Sequence, residues 1–180
     1  MRKLNKKITD ESVIIDLLNT CHTGRLGTVG KDGRPMVKPL NFAYHEGRIY
    51  FHCAREGEKL NDIRRDDRVC FEVDLPVAYV RGAMETPCRS EYLYRSAIAH
   101  GRATIVEDRA ERLLGLDCLM AKYQPEGGYG PYPEDKLALT CIVRIDIEDI
   151  SGKEDLGKGE LREKALQALR DGAALPIVID

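Results

Sequence analysis

The sequence contains no tryptophan, and its charges nearly balance. Of its 180 residues, 28 are Lys or Arg and 30 are Asp or Glu, which gives a formal net charge of −2. Such a balance does not favour binding to nucleic acid or to an anionic membrane. No apolar run approaches the ~20 residues that a membrane-spanning helix needs, and the basic N-terminus lacks the apolar segment of a signal peptide. We therefore expect a cytoplasmic protein with no nucleic-acid or membrane partner.

Paired cysteines and the common catalytic motifs are also missing. The six cysteines stand at irregular intervals without a C-x-x-C, so we expect no zinc ribbon, no redox motif of the thioredoxin type and no disulfide. Gly27, Gly30 and Gly33 match a glycine-rich pattern, but they span a predicted hairpin and do not open a helix. No Walker A, H-E-x-x-H or G-x-S-x-G motif occurs. The sequence gives no support for a hydrolase, a kinase or a metal site.

The length suits a single domain with a substantial core. Strands are predicted at Arg25–Val29, Pro35–Tyr44, Arg48–Cys53, Arg68–Asp74, Tyr92–Val106 and Thr140–Glu148. Helices are predicted at Thr9–Asn19, Gly57–Asp66, Ala110–Tyr123 and Glu160–Arg170, with a loop at Gln124–Asp135. The apolar run Leu175–Ile179 is either a docked tail or an added strand. Short strands joined by tight turns predict a mainly β, antiparallel fold with helices around it, and a barrel is favoured because it removes exposed edges.

Two predicted strands have unusual residues. Pro39 lacks an N–H, so it either interrupts a ladder and leaves backbone groups free for a ligand, or it protects an edge strand from aggregation. In Tyr92–Val106, one face is small (Ala97, Ala99, Gly101 and Ala103). Small side chains permit the close approach of another backbone, a subunit or a ligand.

Three positions carry groups suited to a charged or redox ligand. Lys59 lies in the first turn of the second predicted helix, where a lysine and free N–H groups can hold a phosphate; the alternative is an exposed lysine. His52 ends a predicted strand, where it is either a proton donor beside a cofactor or a histidine satisfied by backbone. Arg95-Ser96 precedes the small-residue face. It either contacts a phosphate or is a pair of polar residues on the surface of a strand.

Taken in order, these segments resemble the pyridoxamine 5′-phosphate oxidase-like FMN-binding split-barrel superfamily. Within it, the chain is similar to the nitroimidazole-resistance (Nim) flavoproteins. The resemblance covers roughly Thr9–Gly152. It rests on Arg25-Leu26-Gly27-Thr28, Asp32-Gly33-Arg34-Pro35, Pro39-Leu40-Asn41-Phe42, Tyr50-Phe51-His52, Gly57-x-Lys59, Val69-Cys70-Phe71-Glu72, Tyr94-Arg95-Ser96 and Gly101-Arg102-Ala103.

The resemblance implies a six-stranded antiparallel split β-barrel with an N-terminal helix in residues 1–152. Residues 153–180 would be a C-terminal helical extension of the same domain. It also implies a homodimer with FMN at the subunit interface. The implied cofactor contacts are Val37, Lys38, Pro39, Leu40 and Asn41 along the isoalloxazine ring, Phe51, His52 and Cys53 at the ring and ribityl chain, Lys59 at the phosphate, and Ser96 from the partner subunit.

The same resemblance narrows the expected activity. The oxidases proper carry an arginine-rich strand and a C-terminal Trp, whereas this chain has Met36-Val37-Lys38-Pro39 and no Trp, so pyridoxamine phosphate oxidation is not expected. A histidine beside the flavin is functional in the Nim group, and His52 is the catalytic candidate. We expect an FMN-dependent oxidoreductase that passes electrons from NAD(P)H or another reductant to a small acceptor.

Two alternatives stay open at this point. The first is a non-catalytic flavin-binding or haem-binding protein on the same barrel, with His52 or His100 as an axial ligand to haem. The second is a deazaflavin in place of FMN, since Lys59 would serve either phosphate-bearing molecule. The absorption spectrum of the purified protein separates flavin from haem.

Overall fold

The computed structural model describes residues 4–179, which form five α-helices and nine strands. The helices are α1 (Glu11–Thr20), α2 (Glu58–Arg65), α3 (Arg109–Tyr123), α4 (Glu134–Leu139) and α5 (Glu160–Arg170). The strands are β1 (Lys7–Ile8), β2 (Gly24–Val29), β3 (Pro35–Leu40), β4 (Ala43–His45), β5 (Arg48–Ala54), β6 (Arg68–Val80), β7 (Glu91–Val106), β8 (Thr140–Asp155) and β9 (Ile177–Ile179). In this part of the chain, no helix is both long and apolar enough to cross a membrane.

The strands pair in one sheet. Their order is β3-β2-β6-β7-β8-β5-β4, with β1 paired to β8 and β9 paired to β6. The pairs β2–β3, β2–β6, β4–β5 and β5–β8 are antiparallel, and β9 runs parallel to β6. The mainly β, antiparallel class is confirmed. The number of six strands is wrong for the described residues, because β1 and β9 are added and the predicted strand Pro35–Tyr44 is broken at Asn41-Phe42 into β3 and β4.

The described residues divide into two compact units. The terminal unit comprises the residues up to Leu17, Asp74–Ala97 and the residues from Ser151, and the central unit comprises Leu18–Val73 and Ile98–Ile150. In the terminal unit, the leucine stripe of α5 packs on a core of five buried residues: Val77, Ala78, Leu93, Leu156 and Ala165. The final apolar run is an added strand, since Ala78 pairs with Ile177.

In the central unit, β5 provides much of the core, and α3 covers one face of it. Ile49, Tyr50 and Phe51 are fully buried. Helix α3 comes close because Gly115 faces Ile142, where an added Cβ would lie only 2.8 Å from Cγ2. The helix is capped by Asp108, whose side chain accepts a hydrogen bond from the Glu111 N–H at 2.8 Å.

The small-residue face of β7 lies inside the chain. Ala99 and Ala103 are buried, and a Cβ at Gly101 would lie 2.1 Å from the carbonyl oxygen of Asp146 in β8. Of the three uses that the sequence left open, the close approach of another backbone is the one observed. This face is therefore used for packing within the chain, and the homodimer stays a prediction.

Candidate functional site

The hairpin of β2 and β3 places Pro39 on a sheet edge. The turn closes when the Gly30 N–H donates to the Arg34 carbonyl at 2.7 Å, and Gly33 there adopts a φ of 81°. β3 is the last strand in the order, so among residues 4–179 its other edge has no strand partner. Pro39 therefore lies on an edge strand, and both its protective role and its role beside a ligand stay predictions. This edge also has backbone groups that are not used in the ladder.

The side chains of β3 alternate between two environments. Pro35, Val37 and Pro39 are exposed, and Val37 is 64% exposed. Met36, Lys38 and Leu40 are half-buried, and Lys38 stands opposite the buried Leu26 in the ladder. The exposed Asn41 follows, and its amide donates to the His22 carbonyl at 3.3 Å. The segment predicted to run along a ring is thus accessible along one face only.

Lys38 brings a cation to the start of α2. Its Nζ is shielded from solvent and lies 2.8 Å from Glu58 Oε2, so the two side chains form an ion pair. The atoms are not aligned as in a hydrogen bond, and no acceptor among residues 4–179 hydrogen-bonds this ammonium. This shielded ammonium is neutralised by one carboxylate but makes no aligned hydrogen bond, so an anionic ligand that offers well-placed acceptor oxygens could replace Glu58 there.

Lys59 lies next to Glu58 in the first turn of α2. Its side chain is half-buried, and Nζ lies 5.7 Å from the ring centroid of Phe51 in β5. The helix begins after Gly57, which adopts a φ of 141° and caps it with no side chain. The first N–H groups of a helix lack intrahelical partners and carry a partial positive charge. This helix start therefore combines free donors with two lysines.

A buried carboxylate holds α2 against the hairpin. Asp62 is 2% exposed and accepts from the Thr28 hydroxyl and from the Arg65 guanidinium, both at 2.9 Å. Burial alone would raise the pKa of Asp62, but the hydrogen bonds from Arg65 and Thr28 lower it. Sequence analysis missed this group, although an acid between the inward-facing Leu60 and Ile63 is a signal that could have revealed it.

The three candidates on β5 lie in different environments. Phe51 is fully buried, so any contact with a cofactor would have to use its backbone. His52 is exposed, and residues 4–179 give its ring no hydrogen-bond or ion-pair partner. Cys53 is half-buried and stands opposite Cys141 of β8. The exposed His52 thus lies between the fully buried Phe51 and the half-buried Cys53.

Ser96 belongs to the terminal unit. It is half-buried in β7, and its neighbour Arg95 is paired with Glu154 at 3.1 Å. The structure therefore brings together β3, β5 and the start of α2 in the central unit, whereas the role of Ser96 stays a prediction.

Sequence analysis predicted where α3 ends but missed the contacts by which its last two residues hold the junction of β3 and β4. The Tyr123 hydroxyl lies 2.6 Å from the His22 carbonyl oxygen and 3.1 Å from that of Phe42, and it accepts the Phe42 N–H at 3.1 Å. Lys122 donates to the Leu18 carbonyl at 2.8 Å, with Nζ 3.7 Å from the ring centroid of Phe42. Burial lowers the pKa of Lys122 to about 8. No local pattern in the sequence marks either residue.

Each unit has one larger cavity. In the central unit, a groove of about 680 Å³ is lined largely by small and apolar residues with one histidine, including Gly27, Val29, Val37, Cys70 and His100. In the terminal unit, a cavity of about 880 Å³ is lined largely by charged residues, which include the ion pairs of Lys6 with Asp155 and of Arg162 with Glu154 at 2.6 Å. We place the candidate site in the central unit, because the start of α2 lies there with Lys38 and Lys59.

Comparison with known proteins agrees with this fold. Similar solved structures include a protein from Bacteroides thetaiotaomicron assigned to 5-nitroimidazole antibiotic resistance (TM-score 0.74, 24% identity, covering 82% of this chain and 86% of that chain). They also include the flavocytochrome Anf3 from Azotobacter vinelandii (TM-score 0.74, 19% identity, covering 91% of this chain and 77% of that chain). A third is the FAD and haem binding protein from Mycobacterium smegmatis (TM-score 0.73, 23% identity, covering 91% of this chain and 80% of that chain).

At these identities, the likeness is one of fold. No curated protein sequence matches the chain. Residues 10–154 match the family model described as pyridoxamine 5′-phosphate oxidase. That match covers most of the chain and confirms the resemblance seen in the sequence, so this protein belongs to the pyridoxamine 5′-phosphate oxidase family.

Proposed function

We propose that this protein binds FMN in the central unit and acts as an oxidoreductase. It would pass electrons from a reductant such as NAD(P)H to a small acceptor, as a nitroimidazole reductase does. The observation that carries the proposal is the start of α2, where Lys38 and Lys59 meet free helix N–H groups. The family membership and the flavin named for similar structures support it.

The phosphate would bind at the first turn of α2. Lys59 would neutralise one charge of the phosphate, and Lys38 would supply a second after releasing Glu58. The shielded Lys38 ammonium would thereby gain the hydrogen-bond acceptors that it lacks. Hydrogen bonds between charged groups are about twice as strong as neutral ones, so this exchange favours a phosphate ester over an uncharged ligand.

The ring would lie along β3 and the end of β5. The free edge of β3 offers backbone donors and acceptors, and Val37, Leu40 and Asn41 would adjoin the ring. Because Phe51 is buried, β5 would contribute backbone at that position and the side chains of His52 and Cys53. A bound flavin supplies the electron-transfer chemistry, while the protein provides binding and orientation.

His52 is the proposed proton donor. Its side chain is exposed and has no partner among the described residues, so a ring nitrogen remains available to an acceptor molecule. A positioned histidine typically contributes ~10²–10⁴-fold to a rate by proton transfer. We expect His52→Gln to slow the reduction of the acceptor without changing FMN affinity.

FMN titration followed by fluorescence quenching tests the binding site. Lys59→Ala should weaken FMN binding by about 1–3 kcal/mol, which is roughly 5- to 150-fold. Lys31→Ala is the matched control, because Lys31 is an exposed lysine in the turn between β2 and β3. Riboflavin lacks the phosphate, so its affinity should be the same for the wild type, Lys59→Ala and Lys31→Ala. Equal FMN affinity in Lys59→Ala and Lys31→Ala would exclude the phosphate assignment.

Anaerobic stopped-flow mixing tests the activity. The loaded protein is reduced with NAD(P)H and then mixed with a nitroimidazole, and flavin reoxidation is followed by absorbance. We expect reoxidation faster than that of free FMN. A rate equal to that of free FMN, in a protein that binds FMN normally, would leave the binding proposal standing and reject the enzymatic one.

We propose a homodimer in which the groove of the central unit faces the partner. Val29 and Val37 line this groove, and with Ile98 of β7 they are exposed by 38%, 64% and 39%, so a partner chain would cover them. Light scattering should give twice the 20.3 kDa mass of the chain, and Ile98→Asp should shift it towards the monomer. A monomeric mass for the FMN-loaded wild type would reject the shared site.

A second candidate function is haem binding in the same groove. His100 stands among apolar lining residues there, as an axial ligand would, and two of the similar structures are named as a flavocytochrome and as a FAD and haem binding protein. A Soret band that disappears in His100→Ala would support this candidate. Flavin absorption alone, unchanged by added haemin, would reject it.

A further inference from the structure

Cys53 and Cys141 stand directly opposite each other on adjacent strands. The β5–β8 register pairs Cys53 with Cys141, between the pairs His52–Ile142 and Ala54–Thr140. Residues opposed in this way have Cα atoms about 4.5–5.5 Å apart and point to the same face. A disulfide spans about 4.4–6.8 Å between Cα atoms. Both cysteines are free, and this backbone spacing already suits a bond between them.

The two sulfur atoms also interact. The interaction with the Cys53 thiol is the main cause that lowers the pKa of Cys141 to about 7, against the effect of burial; the Cys141 Sγ also lies 3.8 Å from the Ile142 carbonyl oxygen. The charges of Arg55 and Arg64 lower this pKa further, and that of Glu107 opposes them. The pKa of Cys53 is raised by the same interaction and by burial, and Lys59 opposes this. The pair therefore holds one thiolate near neutral pH, which is the reactive form.

We propose that Cys53 and Cys141 are a reversible redox site whose substrate is a small disulfide of the glutathione type. Cys53 is the more exposed of the two, since Cys141 is only 6% exposed. Cys53 passes its proton to the Cys141 thiolate, and the resulting Cys53 thiolate attacks one sulfur of the small disulfide. That S–S bond breaks, a mixed disulfide forms on Cys53, and the leaving thiolate takes the proton from Cys141.

The second step closes the pair. The Cys141 thiolate attacks the Cys53 sulfur, the mixed disulfide breaks, and the second small thiolate leaves and takes a proton from water. Two protein thiols are oxidised to one disulfide, and one small disulfide is reduced to two thiols, so electrons and protons balance. No flavin takes part in this exchange, although the side chain of Cys53 is also a proposed contact of the flavin.

The other cysteines lack this arrangement in the described residues. Cys70 faces Gly27 in the β2–β6 register, and the exposed Cys88 follows the start of a short 3-10 turn in the terminal unit. Cys70 is half-buried like Cys53, and burial raises its pKa. It is therefore a matched control for a cysteine that has no cysteine opposite it.

Thiol trapping and peptide mapping test the proposal. The reduced protein is equilibrated with buffers of graded oxidised-to-reduced glutathione ratio, alkylated, digested and analysed by mass spectrometry. We expect a linked Cys53–Cys141 peptide pair, the loss of two of the six thiols and their recovery in excess reduced glutathione. Cys70→Ser should oxidise in the same way, whereas Cys53→Ser and Cys141→Ser should form no internal disulfide.

Two outcomes would overturn the proposal. One is that Cys53 and Cys141 both remain alkylatable at a ratio that glutathionylates the exposed Cys88. The other is a stable mixed disulfide on Cys53 with Cys141 still a free thiol. Both are read from the wild-type chain, so the result does not depend on how well the variants fold.

Discussion

Gly101 gives the sharpest test of the packing in the central unit. A Cβ added there would lie 2.1 Å from the Asp146 carbonyl oxygen, 3.0 Å from its carbon and 3.2 Å from the Ile147 Cα. All three atoms belong to the backbone, so no side-chain rotation can relieve the contact. Replacement by alanine therefore requires β7 and β8 to move apart at this point.

The expected cost follows from that displacement. Ordinary contact begins at 3.4 Å, so the backbone must shift by about 1.3 Å in a region where overpacking typically costs ~1–3 kcal/mol. Stretched ladder hydrogen bonds add ~0.5–1.5 kcal/mol each. We expect Gly101→Ala to lower the free energy of unfolding by about 2–4 kcal/mol, which corresponds to roughly 5–15 °C in Tm for a chain of this size.

Urea denaturation followed by circular dichroism measures this loss. Gly130→Ala is the matched control: Gly130 has no positive φ, and no atom lies within 4 Å of its added Cβ, so its effect should stay within ~0.5 kcal/mol. If the two variants unfold at the same urea concentration, the strands are not as close at Gly101 as described, and the account of the small-residue face fails.

Two further predictions concern α3. The pKa of Lys122 is about 8 in the folded chain, compared with ~10.4 in the unfolded chain. Because the unfolded chain binds this proton more tightly, the free energy of unfolding should rise between about pH 8 and 10.5. The rise should be at most ~1.4 kcal/mol per pH unit. Lys122→Met should lose this part of the slope, and identical slopes by urea denaturation would contradict the burial of the amine. Asp108→Ala should cost about 1 kcal/mol by removing the cap of α3, whereas Asp108→Asn keeps an acceptor; an equal loss in both would argue against the cap.

The helices could be predicted because their signals are local. Helix α5 covers Glu160–Arg170 as expected, since Leu161, Ala165 and Leu169 repeat at helical spacing. Helix α3 begins one residue before the predicted Ala110, at a position that the Asp108 cap defines.

Strand ends that depend on distant partners could not be predicted. β8 continues from the predicted end at Glu148 to Asp155, where Ile8 pairs with Gly152. A Cβ at Gly152 would lie 2.9 Å from that of Ile8, so the strand there is defined by a segment more than 140 residues earlier. Alternation within the strand carries no sign of that contact.

The candidate site likewise combines residues with a local signal in the sequence and contacts between residues that are distant in the sequence. Lys59 at a helix start and Pro39 in a hairpin are visible in short stretches of sequence. The ion pair of Lys38 with Glu58 and the contacts of Tyr123 with Phe42 join residues 20 and 81 positions apart. Such pairs follow from the fold, and no spacing rule in a single sequence reveals them.

The ion pair of Lys38 with Glu58 has a consequence for selectivity. The Glu58 carboxylate already occupies the place beside Lys38 that an anionic ligand would take. The binding free energy that the ligand gains there is therefore only the difference between its own interaction with Lys38 and that of Glu58. Chloride or a monocarboxylate offers a single charge and would gain little. A phosphate monoester carries about two negative charges and three strong acceptor oxygens, and it could engage both lysines at once. Glu58 would thus select for phosphate monoesters, because it competes successfully with weakly charged anions for Lys38.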